Sequence, residues 1–172
     1  RLVHKGEEDL EKIPSQEVRG EDNADMPEGQ YRILIVDDNQ DLREYLLQLL
    51  SVHYQVFYAV NGKDAWEQIS QNMPDLIISD VMMPVMDGIQ LCHHVKSNLS
   101  TSHIPVVMLT AKASSEDYVE GLENGADVYL EKPFSGDVIN AQIASIFRNR
   151  ERLKKEFKTK PMVASVSISK LD

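Results

Sequence analysis

Short apolar runs alternate with segments of helical periodicity along residues 31–148, and this alternation restricts the fold more than any other feature of the sequence. The first run, Arg32–Val36, is apolar and mostly β-branched after its arginine, which is typical of a strand buried on both faces. Four further runs of this kind occupy residues 55–60, 76–79, 104–109 and 127–131. The alternation predicts a doubly wound, five-stranded parallel sheet with right-handed crossovers, flanked by five helices.

The helical segments are recognised by apolar residues spaced three and four apart, which form one stripe on each helix. The positions predicted to face the sheet are Leu42, Tyr45, Leu46, Leu49 and Leu50, then Ala65, Trp66 and Ile69, then Leu91, Cys92, Val95 and Leu99, and finally Ile139, Ile143, Ile146 and Phe147. A fourth helix is predicted over residues 114–124, with Gly125 as its C-terminal stop. The expected strand order is 2-1-3-4-5.

Composition divides the chain into three parts. Residues 1–30 carry nine acidic and four basic residues with few large apolar ones, which predicts a flexible acidic linker. Residues 31–148 form the predicted domain. Residues 149–172 form a basic extension, in which the apolar spacing of the last helix continues through Leu153 and Phe157. A stalk toward a further domain or partner helix explains this continuation, and so does a solvated basic helix end.

Charge and cysteine content restrict the compartment and the partners. The formal net charge is −10 and the central domain carries the excess of acids, which disfavours direct nucleic-acid binding by this domain. The single cysteine, Cys92, excludes an internal disulfide and fits a reducing compartment. The sequence has no apolar stretch of membrane-spanning length and no signal-peptide pattern, so a cytoplasmic location is expected. The charged start without methionine suggests a piece of a longer chain.

Polar side chains follow or close four of the predicted strands. Asp37 and Asp38 follow the first apolar run, and Asp80 closes the third. Thr110 and Lys132 close the fourth and fifth runs. Because ligands of an open parallel sheet bind beyond the carboxyl ends of its strands, we expect these five side chains to line one crevice.

Three carboxylates in one crevice require a cation, since like charges a few ångströms apart repel and raise one another's pKa. Mg²⁺ suits the site because it takes oxygen ligands and is usually held by one or two carboxylates and a phosphate oxygen. We expect Asp38 and Asp80 to bind the ion directly, the main-chain carbonyl of Met82 to add a ligand, and Asp37 to act through water. Lys132 and Thr110 then suit the binding of a phosphoryl group.

Five separated motifs resemble the receiver domain of bacterial two-component response regulators, which has a flavodoxin-like fold. They read Val-Asp-Asp-Asn (36–39), Asp-Val-Met-Met-Pro-Val-Met-Asp-Gly (80–88), Leu-Thr-Ala (109–111), Gly-Ala-Asp (125–127) and Lys-Pro-Phe (132–134). The roles that the resemblance implies are phosphoacceptor for Asp80, Mg²⁺ ligands for Asp37 and Asp38, switch hydroxyl for Thr110, phosphate contact for Lys132 and turning aromatic for Tyr129. It also implies a cis peptide bond before Pro133.

The resemblance further implies the partners. Asp80 receives its phosphoryl group from a phosphohistidine of a histidine kinase, and hydrolysis of the acyl phosphate resets the domain, which thereby catalyses its own phosphorylation and dephosphorylation. The flanking segments are similar to those of hybrid proteins, in which a histidine kinase precedes the receiver, an AraC-type helix-turn-helix follows it, and the parent is anchored in the inner membrane. A homodimer through the face around Tyr129 is implied by resemblance alone.

Other functions fit parts of the pattern. A receiver-shaped interaction module that is never phosphorylated has the same fold. A flavodoxin-like electron carrier shares it too, although its first loop must cradle a phosphate that Asp37 and Asp38 repel without a metal. A magnesium-dependent phosphatase needs an acid two residues after its nucleophile on the first strand, and Asn39 occupies that place.

Overall fold

The sheet explains the unalternating apolar runs. The computed structural model describes residues 30–111, 123 and 125–159 of the chain. Its five strands are all parallel and lie in the order β2-β1-β3-β4-β5, which confirms the predicted fold class and strand order. The strands are β1 (Arg32–Val36), β2 (Gln55–Ala59), β3 (Leu76–Asp80), β4 (Val106–Thr110) and β5 (Val128–Glu131).

Four helices cover the sheet within the described residues. They are α1 (Gln40–Leu50), α2 (Gly62–Gln71), α3 (Gly88–Ser97) and α4 (Gly136–Thr159). The helix predicted over residues 114–124 lies outside the described residues except for position 123, so it stays a prediction. None of the described helices is both long and apolar enough to span a membrane.

The described residues form two apolar core clusters, one on each face of the sheet. Leu34 and Val36 of β1 belong to the cluster that contains the buried side chains of α2 and α3. Ile33 and Ile35 belong to the cluster formed with α1 and α4. Successive residues of a strand point to opposite faces, so a strand that is buried on both faces must be apolar at every position.

Two residues predicted to face the sheet are exposed. Tyr45 lies at the edge of α1 with 44 % of its surface exposed, and its hydroxyl lies against Gly136, where an added Cβ would come within 2.9 Å of it. The third helix ends at Ser97 instead of continuing to Leu99, which is 94 % exposed. The chain turns there because the Asn98 side chain accepts hydrogen bonds from the backbone N–H and the hydroxyl of Ser100. Both predictions were wrong.

Strand ends differ from the predicted ranges by one or two residues. The second strand ends at Ala59 because the backbone N–H of Val60 donates to the Asp64 side chain of α2 instead of to a neighbouring strand. The fourth strand begins at Val106, after Pro105, which has no N–H to donate. Asp80 and Thr110 are the last residues of their strands, so their backbones are fixed by the sheet.

Helix α4 continues without a break across the predicted domain boundary at residue 148. Its first part is anchored by Phe147, whose ring stacks on Tyr31 with 4.1 Å between centroids. Further along, Glu151 accepts a hydrogen bond from the Tyr31 hydroxyl, and an Arg150 guanidinium nitrogen lies 3.6 Å from the Asp75 carboxylate. These contacts tie the helix to the start of the sheet beyond position 148, and the boundary itself stays a prediction.

Candidate functional site

Three aspartates converge where β1 and β3 end. One carboxylate oxygen from each of Asp37, Asp38 and Asp80 lies within 4.8 Å of the others. The first two residues directly follow β1, and Asp80 is the last residue of β3, the strand paired beside β1. The parallel pairing therefore produces the acidic cluster directly, because it places the carboxyl ends of both strands at one edge of the sheet.

Lys132 supplies a positive charge to this cluster. Its Nζ lies 3.2 Å from Asp80 Oδ1 and 3.7 Å from Asp37 Oδ2. The residue directly follows β5, and its backbone N–H donates to the carbonyl of Thr110, with 2.7 Å between nitrogen and oxygen. The peptide bond between Lys132 and Pro133 is cis, as the resemblance implied. Three carboxylates and one ammonium leave the ionised site with two net negative charges.

Asp37 is the buried member of the cluster, with 1 % of its side chain exposed. Its Oδ1 accepts a hydrogen bond from the backbone N–H of Asn39 at 2.8 Å. Its Oδ2 is buried and accepts no hydrogen bond from the described residues. Burial is the largest effect and raises the pKa of Asp37, and the negative charge of Asp80 raises it further. The hydrogen bond from the Asn39 N–H and the positive charge of Lys132 lower this pKa in part. The ionised carboxylate is therefore incompletely stabilised by the protein.

These residues fit a divalent magnesium ion. The donors are carboxylate oxygens, the ligands that Mg²⁺ takes, and the two surplus negative charges match its charge. The buried Oδ2 of Asp37 has the free electron pairs that a cation or one of its waters requires. Met82 follows Asp80 by two residues, and the role of its carbonyl as a ligand stays a prediction.

The loop between β3 and α3 is held tightly against Asp80. A Cβ added to Gly88 would lie 2.0 Å from the Asp80 carbonyl oxygen, so only glycine allows α3 to begin there. The Gly88 N–H donates to the carbonyl of Val81, and the Asp87 side chain caps α3 by accepting from the Gln90 N–H. The phosphoacceptor candidate is thus fixed by the sheet on one side and by this loop on the other.

Val85 in this loop has a left-handed backbone, with φ of 71°. A β-branched residue is strained there, and its side chain is exposed, so removing it exposes no core. We expect Val85→Gly to raise the free energy of unfolding by about 0.5–1 kcal/mol, the relief of strain less the chain entropy of glycine. Urea unfolding measures this change. Val85→Ala keeps the Cβ and is the matched control, so an equal gain in both variants would show that strain is not the cause.

Thr110 and Tyr129 lie on neighbouring strands. Thr110 closes β4 and is buried, and Tyr129 lies within β5, opposite Met108 of β4. The Tyr129 ring is partly buried against the core cluster on the side of α2 and α3. The switch roles that the resemblance implies for these two residues stay predictions.

Sequence reasoning missed Arg43. One of its guanidinium nitrogens donates to the main-chain carbonyl of Asp37 at 2.9 Å. Arginine in the first turns of a helix points its side chain back toward the helix N-terminus, which here is the acidic turn. Its position five residues after Asp38 was the available signal.

Comparison with known proteins identifies the family. A model of the response regulator receiver domain matches residues 33–144. The chain belongs to the response regulator receiver domain family. Among curated relatives, this chain is 44 % identical over 142 residues to "Histidine kinase P4" of Formosa agariphila, covering 81 % of this chain and 10 % of that protein. It is 37 % identical to "Sensor histidine kinase TmoS" of Ectopseudomonas mendocina, covering 77 % of this chain and 14 % of that protein.

Solved structures agree with this assignment. The signal receiver domain of a signal transduction histidine kinase from Syntrophus aciditrophicus has a TM-score of 0.63 and 35 % identity, covering 79 % of this chain and 98 % of that one. Chemotaxis protein CheY4 of Vibrio cholerae has a TM-score of 0.64 and 32 % identity, covering 67 % of this chain and 97 % of that one. The chain therefore spans nearly all of these structures but only a small part of the two curated kinases.

Proposed function

We propose that this receiver domain accepts a phosphoryl group on Asp80 from a phosphohistidine of a histidine kinase, in a reaction that requires Mg²⁺. The observation that carries the proposal is the convergence of three carboxylates within 4.8 Å, with Lys132 Nζ 3.2 Å from Asp80 Oδ1. This arrangement joins a nucleophile, a site for a divalent ion and a fixed cation. An interaction module that is never phosphorylated has no use for such an arrangement.

Among the three aspartates, Asp80 is the best placed acceptor. Asp37 is almost completely buried, and one of its oxygens is occupied by the Asn39 N–H. Asp80 has 13 % of its side chain exposed and contacts Lys132, which is able to neutralise an added phosphoryl group. Asp38 is exposed and has no ion pair with Lys132 within 4 Å among the described contacts. These differences support our proposal that Asp80 is the acceptor, that Asp38 and Asp80 bind the ion directly, and that Asp37 acts on it through water.

The transfer requires no general base. An Asp80 carboxylate oxygen forms a bond to phosphorus while the phosphorus–nitrogen bond of the phosphohistidine breaks, and the electron pair of that bond stays on the imidazole nitrogen. When bound, Mg²⁺ supplies charge neutralisation for the phosphoryl oxygens. Lys132 contributes a further positive charge, and Thr110 is the proposed hydroxyl donor to the product. Water later hydrolyses the acyl phosphate and restores the Asp80 carboxylate.

Phosphorylation changes the charge of the site and thereby its surroundings. A carboxylate with one negative charge becomes an acyl phosphate with a charge of about −2. In our proposal the added charge draws Thr110 toward the phosphoryl group, and Tyr129 turns in response. The surface that changes then binds an output domain, for which an AraC-type helix-turn-helix is the candidate, or a second copy of the domain.

The kinase partner is inferred from the relatives. Two of them are named as histidine kinases, and each is several times longer than this chain. We therefore propose that the donor kinase belongs to the same polypeptide or to a separate sensor. In the same proposal, residues 31–148 form the receiver, with an acidic linker before it and a basic extension after it. Because the receiver carries a net negative charge, we propose that any DNA contact is made by the output domain.

Acetyl phosphate tests the proposal without a known kinase. We expect incubation with Mg²⁺ to add the mass of one phosphoryl group to the intact chain, and EDTA to prevent this addition, because the two surplus negative charges of the apo site repel the phosphodonor. Intact mass spectrometry measures both conditions. The same mass with and without acetyl phosphate, at saturating Mg²⁺, would instead favour the unphosphorylated interaction module.

A further inference from the structure

We propose that Arg43 is a positioning residue for the metal-binding pair, and that it acts through the peptide unit that joins Asp37 to Asp38. The inference rests on the proposed function, because it assigns a role in the proposed magnesium site. Arg43 contacts no carboxylate in the described contacts. Its effect is therefore on geometry.

The contact lies at the junction of the two acids. Arg43 donates from a guanidinium nitrogen to the Asp37 carbonyl oxygen at 2.9 Å. That carbonyl and the N–H of Asp38 belong to one planar peptide unit. Fixing the direction of the carbonyl therefore fixes the direction in which the chain enters Asp38, and with it the region that the Asp38 carboxylate reaches.

Among the described residues, three hydrogen bonds hold Asp37, in addition to the Lys132 ammonium 3.7 Å from its Oδ2. Its N–H donates to the carbonyl of Ala59 at 3.2 Å, and its carboxylate accepts from the Asn39 N–H at 2.8 Å. Both of these partners are backbone groups, which remain when a side chain is changed. The contact from Arg43 is made by a side chain, so a substitution removes it and leaves the other two in place.

The ring of Tyr58 also contacts the Arg43 guanidinium. The Arg43 Cζ atom lies 5.2 Å from the centroid of the Tyr58 ring, which is within the range of a cation–π contact. Tyr58 lies on β2, and its carbonyl accepts a hydrogen bond from the Gln68 side chain at 2.9 Å. A planar guanidinium is able to stack on a ring and donate to a carbonyl at once, which a lysine ammonium does less well. Strand β2 thus supports the turn that carries the acids.

Charge and position predict opposite effects of removing Arg43. If only its charge mattered, its removal would leave a more negative surrounding and tighten Mg²⁺ binding. If Arg43 orients the peptide between Asp37 and Asp38, its removal leaves these carboxylates less well positioned and weakens Mg²⁺ binding. The sign of the change in affinity therefore separates the two roles.

The experiment measures Mg²⁺ affinity of the 172-residue chain by isothermal titration calorimetry, together with the melting temperature in EDTA. The first variant, Arg43→Ala, removes the hydrogen bond to the Asp37 carbonyl. The second, Tyr58→Leu, keeps the positive charge of Arg43 but removes the ring that its guanidinium contacts. We expect Arg43→Ala to raise the Mg²⁺ dissociation constant about 10-fold, as for other residues that orient metal ligands, and Tyr58→Leu to raise it about 3-fold.

Two controls match these variants. Arg152→Ala removes an exposed arginine of α4, and Tyr45→Leu removes a ring whose exposure of 44 % is close to the 48 % of Tyr58. Both are expected to bind Mg²⁺ as the wild type does. If Arg43→Ala does not fold, the comparison of Tyr58→Leu with Tyr45→Leu decides.

Each outcome is decisive. A wild type that binds no Mg²⁺ refutes the proposed function, and this inference with it. A wild type that binds, with an unchanged or tighter affinity in Arg43→Ala, refutes the inference and leaves the proposed function standing. A lower melting temperature in EDTA with unchanged Mg²⁺ affinity shows a merely structural role and equally refutes the inference.

Discussion

Replacing Asp80 by asparagine is expected to abolish phosphoryl incorporation from acetyl phosphate. Asparagine has nearly the same shape, so the strand end and the adjoining loop stay in place. Its amide nitrogen is a poor nucleophile and its oxygen carries no full charge, so no stable acyl phosphate forms. We expect the initial rate to fall at least about 1,000-fold, as for the loss of other nucleophiles. Intact mass spectrometry over a time course measures this rate.

The control removes a carboxylate elsewhere. Asp137→Asn changes an exposed acid in the first turn of α4 and is expected to incorporate the phosphoryl group at the wild-type rate. The phosphorylation rate of Asp38→Asn is expected to lie between the rates of Asp80→Asn and Asp137→Asn, because this variant loses a proposed Mg²⁺ ligand but keeps the acceptor. Excess Mg²⁺ is expected to restore part of that rate. Undiminished labelling of Asp80→Asn would assign the acceptor to another residue.

The second large effect concerns stability in the absence of metal. We expect Asp37→Asn to raise the free energy of unfolding in EDTA at pH 7 by about 1–3 kcal/mol, because it removes a buried charge with an unsatisfied oxygen. The asparagine oxygen still accepts the hydrogen bond from the Asn39 N–H. The same substitution is expected to abolish most of the stabilisation by Mg²⁺, since the buried carboxylate is part of the proposed site.

The pH dependence follows from the direction of the pKa shift. The pKa of Asp37 is raised above its ordinary value of 3.8, chiefly by burial. At pH values between the unfolded and the native pKa, Asp37 therefore keeps its proton in the native state and loses it in the unfolded state. The contribution of protonated Asp37 to stability in EDTA is therefore fully present below about pH 4 and is lost as the pH rises through the native pKa. Asparagine does not titrate, so the variant lacks this contribution.

Urea unfolding in EDTA between pH 4 and pH 7, followed by Trp66 fluorescence, measures both effects. Asp41→Asn is the matched control, because Asp41 is an exposed acid in the first turn of α1 and its loss is expected to destabilise slightly. Added Mg²⁺ is expected to stabilise the wild type and to leave Asp37→Asn nearly unchanged. A variant less stable than the wild type in EDTA at pH 7 would contradict the account of Asp37.

The sheet was predictable because its strands are buried on both faces. Residues such as Ile33 and Leu34 enter opposite clusters, so the run is apolar throughout and is easily recognised in the sequence. The acidic cluster followed from the same topology, since parallel neighbours end at one edge. The two wrong inward positions, Tyr45 and Leu99, lie at a helix edge and beyond a helix end, where periodicity alone does not determine burial.

The supporting contacts of the site were not predictable in the same way. The Arg43 contact depends on the direction of a long side chain and on Tyr58, which lies on another strand. The left-handed backbone of Val85 has no signal in its residue type, because valine disfavours that conformation. Sequence periodicity reports which face of an element is buried. It does not report which side chains cross from one element to orient another.

A crystal structure of the chain with Mg²⁺ and beryllofluoride, a mimic of the phosphoryl group, tests the central claim most directly. The account predicts one ion bound by the carboxylates of Asp38 and Asp80 and by the Met82 carbonyl, with beryllofluoride on an Asp80 oxygen and Lys132 against it. An empty pocket at saturating Mg²⁺ and beryllofluoride, with the three carboxylates turned away from one another, would contradict it.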